Sequence, residues 1–158
     1  MEVIDHAIMN SYSVGWGADV SEKGFSWKNG IAIVPDEDKP ELAGMESEKW
    51  DAMGSKEKKK LLYSFDEPVA EKEITQEMRQ EQFDNYKTTD DHGMLIVAIV
   101  KDQRGEKFYK VKNSWSTNGS PYDGYFYASA QFVALKTIDF MVHKDGVPAT
   151  LKDKMGIK

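Results

Sequence analysis

Three residues have the types and spacing that catalysis by proton transfer needs: His92, Asn113 and Trp115. Histidine changes charge near neutral pH, so one side chain serves as base and then as acid. An amide oxygen held on one ring nitrogen fixes the imidazole and leaves the other nitrogen free. A neighbouring indole screens that bond from water. His92 opens the apolar run "HGMLIVAIV" just after Asp90 and Asp91, and Asn113 and Trp115 close the run "FYKVKNSW".

The elements around these residues follow from the pattern. Residues 92–102 read as a strand buried on both faces, "DQRG" as a tight turn, and 106–115 as the returning strand of a hairpin. In an antiparallel pair the start of one strand faces the end of the next, which sets His92 beside Asn113. Upstream, residues 3–10 have helical spacing and 13–20 alternate as a strand. An Asn29-Gly30 turn leads into "IAIV" at 31–34, a short strand ended by Pro35.

Residues 55–65 read as a helix capped by Ser55, its lysine run a solvated face. Residues 74–88 read as a helix with Thr75 at the N-cap and Ile74, Met78 and Phe83 inward. "YFYAS" is a strand, "AQFVALK" a half-helical link, and 137–145 a last strand with Ile138, Phe140 and Val142 on one side. The chain ends in a short helix and a tail. Helices followed by antiparallel strands define the class α+β: an antiparallel sheet or half-barrel with flanking helices.

Composition excludes other chemistries. The chain of 158 residues fits one core, and a net charge of −6 disfavours a nucleic-acid or other phosphate-binding face. No apolar run is long enough to span a membrane. The N-terminus carries acids where a secretory signal carries positive charge. There is no cysteine, which removes disulfides, cysteine-ligated zinc and any thiol nucleophile within these residues. Cysteine content does not decide compartment; a cytoplasmic location is the expectation.

His92 and Asn113 are therefore a base and its orienter without a nucleophile. Ser114 and Ser116 lie in no G-x-S-x-G elbow, and strand alternation turns Ser114 to the face opposite Asn113. "GWGADV" has Val20 where a phosphate loop has its third glycine. Asp90, Asp91 and His92 diverge as strand neighbours, so no metal is implied, nor any other cofactor. "NGS" at 118–120 is a glycosylation sequon followed by Pro121. His6 reads as a helix-surface residue and His143 as a residue near a strand end.

"DHGMLIVAIVKDQRGEKFYKVKNSWS", "YDGYFYAS" and "KDGVPATLKDKMGIK" together resemble the C-terminal half of bleomycin hydrolase and bacterial aminopeptidase C, which are papain-like cysteine peptidases. "GWGADVSEKGFSWKNGIAIVP" resembles the segment that precedes the histidine in that family. The resemblance implies that residues 1–158 are the C-terminal β-rich subdomain, without the helical subdomain that carries the cysteine. It implies that His92 pairs with the thiolate, that Asn113 orients the imidazole and that Trp115 covers their bond. It also implies that Met155, Gly156, Ile157 and Lys158 form a C-terminal arm against the substrate's free α-amino group. The intact protein would be an aminopeptidase acting on peptide substrates through a thioester. Its partners would be the missing N-terminal half and, in a hexamer, further copies of itself. The alternative is a non-catalytic relative that binds peptides or a partner. Two positions depart from the family pattern: Gly93 stands where alanine is common, and Ser116 where glycine is.

Overall fold

The structure is a computed structural model that describes residues 1–38 and 45–157. Its centre is a curled sheet of seven strands. In chain order these are β1 (Val14–Ala18), β2 (Phe25–Ser26), β3 (Ile31–Ala32), β4 (His92–Lys101), β5 (Lys107–Lys112), β6 (Tyr125–Ser129) and β7 (Thr137–Met141). They lie in the order β2-β3-β6-β5-β4-β1-β7, and the class is α+β as the pattern predicts. All pairs are antiparallel except β3 with β6, which is parallel. The short strand β2 has no alternating run long enough to announce it, and it pairs Phe25 with Ala32.

Among the described residues six α-helices flank the sheet: α1 (Glu2–Met9), α2 (Ser47–Ala52), α3 (Ser55–Leu62), α4 (Gln76–Asp84), α5 (Ala130–Lys136) and α6 (Ala149–Met155). Thr75 caps α4 by accepting the Met78 N–H, as its position predicts. Ser55 does not cap α3; Gly54 holds the N-cap position and Ser55 is the first helical residue. Helix α5 is a full helix rather than half of one, started by the Ser129 hydroxyl accepting the Phe132 N–H.

The larger core cluster lies on one face of the sheet. Val14, Trp16 and Ala18 of β1, Met94 and Ile96 of β4, and Tyr109 and Val111 of β5 meet Ile4 and Ala7 of α1 and Phe132 and Val133 of α5. A smaller cluster joins Trp50, Leu62 and Val69 to Ile33 and Phe108. Strand β4 differs from its expected double burial: Met94 and Ile96 are inside, while Leu95 on the opposite face is 37% exposed. The other face of the sheet is open there because no described element crosses it. Phe140 and Phe83 are likewise exposed rather than inward, since β7 forms the sheet edge and α4 buries no residue fully.

Candidate active site

Antiparallel pairing of β4 with β5 decides the site. Leu95 faces Lys112, so the chain leaving β5 passes beside the start of β4. The turn at 118–124 pins that exit: the Asn113 N–H donates to Gly124 O at 3.0 Å. Gly124 has φ 84°, a backbone conformation that favours glycine at this turn.

The result is a bond of 2.6 Å between His92 Nε2 and Asn113 Oδ1. Asn113 Oδ1 also receives the Trp115 N–H, at 3.4 Å, which fixes the amide with its oxygen toward the ring. Nε2 is therefore the donor, and Nδ1 carries the lone pair of the neutral imidazole. Nδ1 has no hydrogen-bond partner among the described residues. Asn113 is 3% exposed, and its buried Nδ2 has no hydrogen-bond partner among the described residues.

The Trp115 ring lies against the His92 ring, with centroids 4.7 Å apart. Phe25 and Trp27, from the hairpin of β2 and β3, meet Trp115 edge-on at 5.8 and 5.5 Å. The overlooked strand β2 thus supports the indole that covers the His92–Asn113 bond. Ser116 keeps a backbone outside the positive-φ region, and its hydroxyl accepts the Asn118 N–H. The serine is accommodated without strain.

Ser114 departs from its expected orientation. β5 ends at Lys112, so strand alternation no longer applies, and Ser114 Oγ lies 3.4 Å from His92 Nε2. That contact is on the nitrogen already donated to Asn113. It does not give Ser114 the free base that a nucleophile needs.

Polar residues with no motif hold the approach to His92. Lys136 is buried and donates to Gln82 Oε1, Lys87 O and Thr88 Oγ1, and it pairs with Glu22. Asp19 is also buried; it accepts the Thr89 N–H and both the N–H and Oγ–H of Ser21. Burial pushes the Asp19 carboxyl up, but the bonds from Ser21 and Thr89 and the Lys136 charge outweigh this and hold it below its usual value. Asp91 accepts the Val20 N–H. Together these tie residues 87–91 to the loop after β1.

Other predicted residues sit elsewhere. His6 is half-buried, not a surface residue, and bonds Gly146 O through Nδ1, whereas the exposed His143 stacks on Tyr12. Gly156 ends α6 in the left-handed conformation, and Met155 is exposed. Met155, Gly156 and Ile157 do not line the groove beside Asn113; Lys158 lies outside the described residues.

A curled half-barrel with helices beside it and a His–Asn pair at its rim is the architecture of a papain-like fold. Residues 47–157 match the family model of the Peptidase C1-like family, and the chain belongs to that family. A crystal structure of PepW from Lactobacillus rhamnosis HN001 is similar, with a TM-score of 0.58 and 21% identity. The likeness covers 96% of this chain and 28% of that one, so the chain spans just over a quarter of that protein's length. No curated protein matches.

Proposed function

We propose that this chain is the His/Asn half of a papain-like cysteine aminopeptidase whose nucleophile lies on a segment beyond these residues. The single observation behind the reading is the 2.6 Å bond from His92 Nε2–H to Asn113 Oδ1 beneath Trp115. That bond leaves Nδ1 as the nitrogen for proton transfer. In the reaction, Nδ1 takes the thiol proton, and the resulting imidazolium stabilises the thiolate. The thiolate attacks the substrate carbonyl, and the same nitrogen returns the proton to the leaving amine. Water then releases the acyl group from the thioester, with His92 again the base. Asn113 holds the ring through both steps.

The missing helical half would pack on the open sheet face. The tail from Met155 to Lys158 would then approach the substrate's α-amino group, and copies of the whole protein would assemble, in the cytoplasm.

An aminoacyl-4-nitroanilide assay tests this. The chain alone releases no nitroaniline. The same residues joined to a cysteine-bearing helical half do so, and iodoacetamide abolishes the activity. Hydrolysis by the chain alone, or by the joined protein after alkylation, overturns the thiol mechanism.

A further inference from the structure

The chain holds four pairs in which asparagine or aspartate precedes glycine: Asn29-Gly30, Asn118-Gly119, Asp123-Gly124 and Asp145-Gly146. Such pairs are chemically weak points. Once its proton has left, the glycine nitrogen can attack the side-chain carbonyl carbon, and glycine has no Cβ to block the approach. A hydrogen bond that holds the glycine N–H opposes both the loss of the proton and the movement.

The fold protects three of the four. The Gly30 N–H donates to Trp27 O at 3.1 Å, the Gly124 N–H to Ser120 Oγ at 3.0 Å and the Gly146 N–H to His143 O at 2.8 Å. All three of these glycines are buried. Gly119 differs on both counts: it is exposed, and its N–H has no hydrogen-bond partner among the described residues. A Cβ there would meet nothing within 4 Å, so no neighbour confines the pair. Asn118 is exposed too, and its side-chain amide makes no hydrogen bond among the described residues. Only its backbone is held: its N–H donates to Ser116 Oγ, and its carbonyl accepts the Trp27 indole N–H at 3.3 Å.

We propose that Asn118 is a site of spontaneous deamidation and that the change is felt at Trp27. The Gly119 nitrogen gives its proton to hydroxide and bonds to Asn118 Cγ. The Cγ–Nδ2 bond breaks, and the amide nitrogen takes a proton from water and leaves as ammonia. Water then opens the five-membered imide at either carbonyl. One opening gives aspartate. The other gives isoaspartate, in which the main chain runs through Cγ and the former α-carbonyl becomes a free carboxylate. One water enters and one ammonia leaves. Either product adds a negative charge beside Trp27, and isoaspartate takes the oxygen that Trp27 bonds out of the main chain. Trp27 props Trp115, so the change reaches the cover of the His92–Asn113 bond.

The test ages the whole chain in mildly basic buffer, folded and, in parallel, unfolded in guanidinium chloride. Peptide maps read by mass spectrometry follow the amide-to-acid mass gain at each asparagine. Unfolded, Asn29 and Asn118 convert at similar rates. Folded, Asn118 keeps nearly that rate, while Asn29 slows about tenfold, the protection that one hydrogen bond of ordinary strength confers. In ¹H–¹⁵N spectra of the aged folded chain a second Trp27 indole N–H signal grows with the converted fraction. Asn118→Gln, whose imide would need a six-membered ring, stops the mass gain in that peptide and keeps the single Trp27 signal. The exposed, unbonded side chain makes this variant harmless to the fold. Equal rates at the two asparagines in the folded chain overturn the proposal. So does a Trp27 signal that stays single in converted chains.

Discussion

The tautomer of His92 is decided by one amide. Asn113 could present oxygen or nitrogen to the ring, and the Trp115 N–H settles it by requiring the oxygen. The cost is Nδ2, a buried donor without an acceptor. Trp115 is 41% exposed yet shields the bond because its ring lies against the imidazole and is propped by Phe25 and Trp27. Trp115→Ala should therefore admit water to that bond. The Nε2–H proton of His92, protected in the parent, should exchange too fast to observe by NMR in the variant. The loss of stability should be about 2 kcal/mol, below a core tryptophan because the ring is partly exposed. A variant that keeps a protected Nε2–H signal would show that Trp115 does not shield the pair.

At the scale of elements, the hairpin of β4 and β5 brings His92 to Asn113, while the buried charges around Lys136 hold the segment leading into it. Lys136 bridges α5 to residues 82–88, and Asp19 joins the end of β1 to Thr89. Replacing Lys136 by Met removes the cation from a set of buried acceptors, which costs about 3 kcal/mol in urea unfolding. The same change should disorder the residues before His92. Asp19 carries a pH signature. Its native pKa lies below the ordinary carboxylate value, so the unfolded chain binds its proton first as pH falls. Its contribution is complete above the ordinary value, near about pH 4, and is lost as pH drops through the lowered one. Asp19→Asn should lower stability at neutral pH and flatten the acid limb; an unchanged limb would assign that limb to other carboxylates.

Considered whole, the described residues form a half-barrel with β2 and β7 at its two edges and one face covered only in part. Leu95 and Met141 project from its uncovered part. Unpaired strand edges and exposed apolar side chains favour association. The isolated chain should therefore self-associate as concentration rises in sedimentation velocity, and Leu95→Lys should shift it toward monomer. A monodisperse monomer with a high melting temperature would show that the face needs no cover.

The sequence carried the local part of this molecule. The His92 and Asn113 pairing was legible because a hairpin with a short turn leaves one register between neighbouring strands. Helices α1, α3, α4 and α6 were legible, α1 from its spacing and α4 from the Thr75 cap. Strand β2 was not, because two residues hold no period. Ser114 was not, because β5 ends at Lys112, two residues before it, and strand alternation ends there. Burial on both faces of β4 was misjudged because an apolar run states what can be buried and not what covers it. Only tertiary structure joined Asp19, Lys136 and Thr89, since those contacts link segments far apart in the chain through non-consecutive strands. Neighbours in sequence are bound by backbone geometry; neighbours in space depend on which strands pair, and that is decided by the whole core at once.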